Sequence, residues 1–551
     1  MAGATLPEPA EFVSHVRAHA AGAGDRLALV ALDESGAETA SISYRHLDLR
    51  ARAIARFLQE RTEPGDRVIL AFHDQVECAS ALIGCAYAGV IGVPLAVPAS
   101  GKHDKGRFAR IAGVIADCTP AFALSSARVA ETIWPHALSN GISLACMPVD
   151  DVEEAAETDA PTRVPEPGDL FYLQYTSGST GAPRGVRVSH GNVVSNILGL
   201  RAVAKFDPSA PFVSWLPHYH DMGLVVTMLY PMYFGNVTYL MSPATFLKRP
   251  LRWLEAISRY GAGSTAAPNF AYDLCVRRIP PAAFASLDLS SLTTAIVGAE
   301  PIAEATLSRF SKTFAPVGFS RSAWAPGYGL AESTVFVTGH RSERGYRMLE
   351  TTSGARAVSC GRTSPDTTLR IVDPQSREPV EAGTAGEIMV AGPSVARGYW
   401  GKASGLVPVA ESDGSVSEYL STGDIGALVD GELCILGRLK DVVIINGTNH
   451  HAADLELTIA GGVADGVPGG CAVFGADVDG VERLVAAIEV ERLRPELHAA
   501  MLGVVRRVVA ERHDITVFDL VLLRPGRLPR TTSGKIRRYA CRERYAVGEL
   551  R

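Results

Sequence analysis

The sequence predicts an α/β protein built from at least two domains. Segments with helical periodicity alternate with short runs rich in valine and isoleucine, and such alternation is typical of α/β architecture. Because single hydrophobic cores rarely exceed about 250–300 residues, a chain of 551 residues needs more than one. The helical segments are residues 44–60, 75–88 and 249–260, and the strand-like runs are residues 67–72, 295–298 and 369–373.

Residues 78–99 contain no charged side chain, and the stretch is long enough for a membrane span. Gly89, Gly92, Pro94 and Pro98 interrupt it, however, and proline is poorly tolerated inside a helix. The run VIGVPLAV is therefore predicted to be a buried strand that follows a core helix. We expect no membrane span.

The segment YTSGSTGAPRG, residues 175–185, is predicted to bind phosphate. Glycine lets the backbone approach an anion closely, and hydroxyl groups can donate hydrogen bonds to phosphate oxygens. The apolar runs 170–173 and 186–188 on either side favour a loop held between two buried strands over a flexible linker. The Walker pattern GxxxxGK[ST] is absent. The candidate phosphate-binding residues are Thr176, Ser177, Gly178, Ser179, Thr180 and Gly181.

The segment GRLKD, residues 437–441, is predicted to be a hinge, because it is a charged break between the strand-like runs LCIL and VVII. It divides the chain into a large domain at 1–437, a hinge at 438–441 and a small domain at 442–551.

Composition narrows the class of partner and the compartment. The net charge is −6 with both signs scattered along the chain, so no footprint for nucleic acid is expected. Nine cysteines without a CxxC pair are typical of a reducing cytoplasm and predict no metal cluster. The N-terminus lacks the basic-then-apolar pattern of a secretory signal.

Eight segments in a fixed order give the chain a specific resemblance. Together they resemble the adenylate-forming superfamily of acyl-CoA synthetases and adenylation domains, and most closely the fatty acyl-AMP ligases. Besides the phosphate loop, the segments are SWLPHYHDMGL (214–224), AAPNFAYDLC (266–275), GAEPI (298–302), YGLAEST (328–334), GPSVARGYW (392–400), STGD (421–424), GRLKD (437–441) and RTTSGKIRR (530–538).

The resemblance implies a large multi-subdomain α/β adenylation domain and a small mobile α+β C-terminal domain. It implies that ATP and Mg²⁺ activate a long-chain or bulky hydrophobic carboxylic acid as an acyl-adenylate. The acyl group would then pass to a phosphopantetheine thiol, on an acyl carrier protein in the leading hypothesis. Two alternatives stay open: a complete acyl-CoA ligase that uses CoA, and an enzyme that only adenylates and leaves transfer to a separate protein.

The resemblance also assigns roles to individual residues. Lys535 is similar to the catalytic lysine, Glu332 to the acid that positions Mg²⁺ on ATP, and His220 to the gate of the acyl pocket. A solvated lysine is the alternative for Lys535, although the chain has lysine at only eight positions. Lys440 aligns with the hinge residue that absorbs domain rotation. The residues implied to bind the nucleotide are Gly298, Ala299, Glu300, Tyr328, Gly329, Asp424 and Arg438.

The acyl pocket is expected to contain apolar residues from two of these segments, because the resemblance implies a hydrophobic acid. The candidates are Met222, Gly223, Leu224 and Phe270, and ordinary core residues are the alternative.

The chain departs from the family pattern at four places. Arg184 replaces the usual lysine of the phosphate loop, and Ala452 replaces a usual proline after the hinge. The stretch 340–357 is short for the insertion with which fatty acyl-AMP ligases are thought to restrain domain rotation. No downstream serine for a phosphopantetheine arm follows Lys535, so a freestanding enzyme is expected.

Overall fold

A computed structural model describes most of the chain. The described residues are 11–98, 105–150, 152–153, 163–176, 183–204, 206–207, 209–340, 345–411, 415–445, 448–463, 466–478, 481–531 and 534–550. Among them, no helix is long and apolar enough to cross a membrane.

The α-helices range from one turn to five. In chain order they are α1 (Val13–Ala23), α2 (Tyr44–Gln59), α3 (Gln75–Ala88), α4 (Lys105–Cys118), α5 (Ala127–Thr132), α6 (Trp134–Ser139), α7 (His190–Ala204), α8 (Tyr230–Tyr233), α9 (Pro243–Lys248), α10 (Leu251–Tyr260), α11 (Asn269–Arg278), α12 (Glu304–Phe314), α13 (Ala452–Gly462), α14 (Pro495–His513) and α15 (Arg538–Ala546). A π-helix, Met222–Leu229, precedes α8.

The strands are mostly short. In chain order they are β1 (Leu27–Leu32), β2 (Glu38–Ser43), β3 (Arg67–Ala71), β4 (Ile91–Pro94), β5 (Phe122–Ser125), β6 (Cys146–Pro148), β7 (Leu170–Thr176), β8 (Arg184–Ser189), β9 (Phe212–Ser214), β10 (Thr238–Met241), β11 (Ser264–Pro268), β12 (Thr294–Gly298), β13 (Trp324–Tyr328), β14 (Thr338–Gly339), β15 (Met348–Glu350), β16 (Arg356–Val358), β17 (Arg362–Thr363), β18 (Thr368–Val372), β19 (Gly386–Ala391), β20 (Val407–Ala410), β21 (Val416–Val429), β22 (Glu432–Arg438), β23 (Val442–Ile445), β24 (Thr448–His451), β25 (Gly466–Val478), β26 (Val481–Val490) and β27 (Asp519–Leu523).

Two large sheets form the body of the molecule. One has nine strands in the order β17-β14-β13-β12-β11-β9-β10-β1-β2, and the other has six in the order β6-β5-β3-β4-β7-β8. The largest hydrophobic cluster contains residues of both sheets and of α2, α3 and α7. A second cluster packs α4, α5 and α6 against the six-stranded sheet. Because parallel strands such as β11, β12 and β13 end at one edge, their following residues lie close together.

A smaller antiparallel sheet and a C-terminal unit complete the fold. The sheet contains β18, β19, β21, β20 and β22, and β22 leads into the turn Leu439–Asp441. After this turn, β25, β26 and β27 form a three-stranded sheet whose core is made with α13, α14 and α15. The domain bounds 1–437, 438–441 and 442–551 stay a prediction, and the turn lies within the predicted hinge.

The prediction of a mixed α/β fold is confirmed. The uncharged stretch 78–99 contains most of α3, which is almost entirely buried, and then β4, which pairs with β3 and β7. One helix begins two residues later than predicted: the predicted range is 249–260, and α10 begins at Leu251. Pro250 explains the break, since proline disfavours helical backbone in the residue before it, and Arg249 has a φ of −142°.

Candidate active site

The predicted phosphate loop connects two strands of the six-stranded sheet. β7 and β8 pair antiparallel in a register that places Thr176 opposite Arg184, so the sheet closes the base of the loop. A side chain at Gly185 would collide with the ring of Tyr175, at 2.8 Å from Cζ. Ser177, Gly178, Ser179, Thr180 and Gly181 lie outside the described residues, and their role stays a prediction.

The ends of two parallel strands, β12 and β13, bring five of the other predicted nucleotide residues together. β12 ends at Gly298 and is followed by Ala299 and Glu300, while β13 ends at Tyr328. Ala299 has a φ of +65°, a backbone conformation that is uncommon for residues other than glycine and that recurs at functional sites. A side chain at Gly329 would lie 1.6 Å from the backbone oxygen of Val335, so only glycine fits there.

Glu300 ties this strand end to the predicted acyl pocket. Its carboxylate accepts a hydrogen bond from the backbone N–H of Phe270, at 2.6 Å, in the first turn of α11. Burial raises the pKa of Glu300, and the Phe270 N–H and Lys535 act in the opposite direction. The nucleotide side and the acyl side of the site therefore share this carboxylate.

Asp424 is a buried carboxylate at the centre of a short hydrogen-bond network. Its Oδ2 accepts from the Tyr328 hydroxyl at 2.8 Å, and its Oδ1 accepts from Nε of Arg438 at 2.7 Å. The pairing of β21 with β22 places Asp424 opposite Arg438 and so fixes the ion pair. A carboxylate has about four acceptor positions, so Asp424 keeps room for further donors such as ribose hydroxyls.

Tyr399 connects Glu332 to the phosphate loop. Its hydroxyl donates to Oε1 of Glu332 at 2.6 Å, and the guanidinium of Arg184 lies 4.7 Å from the centre of its ring. The segment that carries Tyr399 runs beside β8, because Trp400 N–H donates to Gly185 and Arg187 N–H donates to Gly398. The arginine that replaces the family's lysine therefore stacks on an aromatic face, which a guanidinium does well.

Glu332 also fits the predicted magnesium role. It lies in the turn Ala331–Ser333 and lines the cavity. In the part of the chain that the structure describes, only its Oε1 has a hydrogen-bond partner. The other oxygen is a hard ligand of the kind that Mg²⁺ prefers.

His220 and Asp221 form a half-buried pair just before the π-helix. Nδ1 of His220 lies 2.7 Å from Oδ1 of Asp221, and Asp221 also accepts from the backbone N–H of Met222. Burial alone would raise the pKa of Asp221, but His220 and then Lys535 outweigh it and hold the pKa below its usual value. π-Helical segments are frequent at functional sites.

The C-terminal unit brings the predicted catalytic lysine within electrostatic reach of this pair. Thr531 N–H donates to the Lys535 carbonyl at 2.7 Å, which closes a tight turn in which Gly534 has a φ of +85°. A side chain at Gly534 would lie 3.9 Å from the Phe270 ring, so the turn rests on the predicted acyl pocket. The Lys535 ammonium, itself exposed, interacts electrostatically with Asp221 and Glu300.

Arg538 fastens the lysine turn to the hinge. Its guanidinium forms two hydrogen bonds with Glu456 of α13, at 2.6 and 2.7 Å, and a further ion pair with Asp441. Lys440, the predicted hinge residue, is exposed in the turn Leu439–Asp441 and lines the cavity. Ala452 is the first residue of α13, a position at which proline and alanine are both compatible with a helix.

One cleft of about 1360 Å³ contains nearly all of these groups. Among the predicted acyl-pocket residues, Met222 and Phe270 line it, but Gly223 and Leu224 do not. Gly223 packs against the backbone of Pro217 and Leu224 is buried in the main core, and a place for these two in the acyl pocket stays a prediction. Apolar residues outside the predicted set also line the cleft, namely Leu200, Val226, Ile302, Val335, Phe336 and Met348.

Sequence reasoning missed Tyr399 and Glu387. Glu387 is 2% exposed and accepts from the Ser421 hydroxyl and from the Gly423 N–H at 3.1 Å, so it supports the loop that ends at Asp424. Tyr399 lies in the segment GPSVARGYW, which contributes to the family resemblance but gives no indication that Tyr399 contacts Glu332.

Two family models match the chain. The model described as AMP-binding enzyme matches residues 16–400, and the model described as Disco-interacting protein 2-like, AMP domain, matches residues 440–551. The gap between the two matches contains β20, β21 and β22.

Three known proteins illustrate the similarity. The chain is 35% identical to the medium-chain-fatty-acid–[acyl-carrier-protein] ligase JamA of Moorena producens, over 93% of this chain and 91% of that protein. It is 37% identical to the putative fatty-acid–CoA ligase FadD21 of Mycobacterium tuberculosis, over 93% of each. A solved structure from work on fatty acyl-adenylate ligases from E. coli and L. pneumophila superposes with a TM-score of 0.86 at 30% identity, over 98% of each chain.

Proposed function

The chain belongs to the adenylate-forming superfamily of AMP-binding enzymes, close to the fatty acyl-AMP ligases, and on this basis we propose the class of acid that it activates and the residues that take part in the reaction. It is an acid-activating ligase. The proposed substrate is a long-chain or otherwise bulky hydrophobic carboxylic acid, which ATP converts to an acyl-adenylate. The proposed acceptor is the phosphopantetheine thiol of an acyl carrier protein, and the reaction is proposed to take place in the cytoplasm.

The observation that carries this proposal is the meeting of two distant parts of the chain in one cleft. Lys535 of the C-terminal unit lies within electrostatic reach of Asp221 and Glu300, which flank the apolar part of the cleft. Glu332 and Asp424 line the same cleft on the nucleotide side. A carboxylic acid, ATP and a cation can therefore be held together.

The proposed reaction needs charge stabilisation more than proton transfer. A carboxylate oxygen bonds to the α-phosphorus, the bond from that phosphorus to the bridging oxygen of the β-phosphate breaks, and the electron pair leaves on pyrophosphate. Preorganised cations that stabilise charge developing in the transition state are the most effective catalysts of such a step. Lys535 would contact the acyl and phosphate oxygens, and a compact ammonium suits that position.

The remaining polar residues would hold the nucleotide. Asp424 would accept hydrogen bonds from the ribose hydroxyls while Tyr328 and Arg438 hold the carboxylate in place. Ala299 and Glu300 would lie beside the adenine, together with Tyr328. Glu332 would hold Mg²⁺, which neutralises phosphate charge when bound.

The proposed substrate class follows from the walls of the cleft. Met222 and Val226 from the π-helix, Leu200 from α7 and Ile302 before α12 line it together, and burial of apolar surface favours a hydrophobic acid. His220, paired with Asp221, lines the same cleft and would be the gate of this part. Chain length is not encoded in any motif and must be measured.

The hairpin β15–β16 bears on the choice of acceptor. It overlaps the stretch 340–357, where the resemblance predicts the restraining insertion of fatty acyl-AMP ligases, and Arg347 and Ser359 at its two ends bind Glu432 at 2.8 and 2.6 Å. Glu432 begins β22, which runs into the hinge. The anchoring of the hairpin to β22 supports a restraint on domain rotation and hence a carrier protein as the acceptor. CoA is the second candidate acceptor, because a hairpin this small would restrain rotation less.

The exchange of pyrophosphate into ATP tests the proposal. We expect the purified protein to catalyse ATP–pyrophosphate exchange that depends on added saturated fatty acids, with one range of chain lengths preferred, because burial of each methylene contributes about 0.8 kcal/mol until the cleft is filled. Acetate and amino acids serve as controls and are expected to give background rates. Folded protein without exchange on any fatty, aromatic or polycyclic acid would refute the proposal.

A further inference from the structure

Helix α4 packs directly on the phosphate loop. Asp117 accepts a hydrogen bond from the Tyr175 hydroxyl at 2.6 Å, and a side chain at Gly113 would lie 3.1 Å from Cγ of Pro183. These contacts reach the two ends of the loop. Residues 110, 113, 114 and 117 share one face of the helix, because they are spaced by three and four residues. Arg110 therefore continues the loop-facing surface of α4 by one turn.

Three guanidinium groups line the cleft at this point. Arg107 and Arg110 come from α4, and Arg537 comes from the C-terminal unit, two residues after Lys535. Both α4 arginines act electrostatically on the phenol of Tyr219, whose backbone carbonyl accepts from Nε2 of Gln174 at 2.9 Å. The residue on which both arginines act is thus bonded to β7, the strand that leads into the phosphate loop.

Two charges of this cluster, those of Arg110 and Arg537, are not balanced by acids among the described residues. In the described part of the chain, neither Arg110 nor Arg537 forms an ion pair with a carboxylate. The neighbouring acids are committed elsewhere, Asp117 to Tyr175 and Asp221 to His220. Burial lowers the pKa of Arg110, and the like charge of Arg537 lowers it further. Such a pair of cations is stabilised when an anion binds between them.

We propose that Arg110 and Arg537, with Arg107 beside them, bind the β- and γ-phosphates of ATP and then the departing pyrophosphate. This inference rests on the proposed function, because pyrophosphate is the product of acid activation. Arginine presents a planar fork of donors that matches phosphate oxygens. Since Arg537 moves with Lys535, the complete site exists only while the C-terminal unit holds the lysine at the acid. Release of pyrophosphate would then leave the two cations repelling each other and favour rotation of that unit.

A phosphate of phosphopantetheine has the same chemistry but fits this arrangement less well. The acceptor thiol attacks only after pyrophosphate has left, whereas Lys535 is within electrostatic reach of Asp221 and Glu300, as the activation step requires. The KM for pyrophosphate and the KM for holo carrier protein distinguish these two sources of phosphate.

Calorimetric titration with inorganic pyrophosphate in the presence of Mg²⁺ tests the site directly. We expect Arg110→Gln and Arg537→Gln each to raise the Kd for pyrophosphate about tenfold or more, the typical loss for a charge-assisted hydrogen bond. Arg128→Gln, at an exposed position of α5 outside the cleft, is the matched control and is expected to bind like the unchanged protein. Because Arg537 is exposed, its variant keeps the test valid even if Arg110→Gln unfolds.

The same variants are then compared in exchange and transfer assays. A raised KM for pyrophosphate with an unchanged KM for the acid supports the proposal. Unchanged pyrophosphate binding in both variants overturns it, and a raised KM for holo carrier protein with unchanged pyrophosphate binding assigns the cluster to phosphopantetheine instead. Failure of the proposed function is recognised separately, since the unchanged protein would then show no acid-dependent exchange.

Discussion

Replacing Lys535 by alanine is expected to lower the rate of acyl-adenylate formation about 10²–10³-fold or more, the usual loss when one preorganised donor is removed from a developing charge. ATP binding is expected to persist, because Asp424, Tyr328 and Arg438 hold one another without the lysine. Acid-dependent ATP–pyrophosphate exchange gives the rate, and titration with ATP gives the Kd.

The control for this prediction is Lys312→Ala. Lys312 is exposed near the end of α12 and does not line the cleft, so exchange is expected to be unchanged. Exchange kinetics of Lys535→Ala that match those of the control would remove Lys535 from the mechanism. A loss of ATP binding equal to the loss of rate would make it a binding residue instead.

Replacing Glu332 by glutamine is expected to lower the adenylation rate about 10²-fold or more. The change removes a charged ligand of the Mg²⁺ ion, which stabilises the charge that develops in the transition state by several kcal/mol.

Tyr399→Phe is a milder change that acts on the same carboxylate. It deletes one hydrogen bond to the carboxylate and keeps the ring beneath Arg184. We expect the Mg²⁺ concentration for half-maximal rate to rise about tenfold, in line with a bond to a charged group.

Magnesium titrations of the exchange rate check both variants. Tyr545→Phe is the matched control, since its hydroxyl donates to Asp519 at 2.8 Å outside the cleft. If Tyr399→Phe changes the KM of the acid but not the magnesium dependence, Tyr399 does not act through Glu332. A Glu332→Gln enzyme with an unaltered rate would exclude a metal role for this carboxylate.

Much of the fold could be predicted because its signals are local. The phosphate loop was recognisable from its glycines and from apolar runs on both sides, and the structure has β7 and β8 there. The buried character of residues 78–94 followed from glycine and proline positions that a membrane helix would not tolerate. Pro250 shows the limit of such reasoning, because periodicity continued across a break that one residue imposes.

The parts of the site that escaped prediction depend on contacts between distant segments. Tyr399 and Glu332 are 67 residues apart, and two backbone contacts bring the hydroxyl to the carboxylate: Tyr399 pairs with Val186 of β8, and the Ala396 N–H donates to the Glu332 carbonyl. Arg110 has the sequence appearance of any solvated helix charge, and its position follows from how α4 packs on Pro183. Gly223 and Leu224 are predicted to line the acyl pocket because they belong to the motif SWLPHYHDMGL. The turn of the π-helix, however, decides which side chains face the cleft.

The acceptor assay tests the central claim most directly. The protein is incubated with ATP, Mg²⁺ and the fatty acid preferred in exchange, together with either CoA or a holo acyl carrier protein, and the products are measured by mass spectrometry. The account predicts an acyl-adenylate in the absence of acceptor and an increase in the mass of the carrier protein equal to the acyl group, with little acyl-CoA. Efficient acyl-CoA formation without acylation of the carrier protein would contradict the proposed acceptor, and absence of an acyl-adenylate under all conditions would contradict the account as a whole.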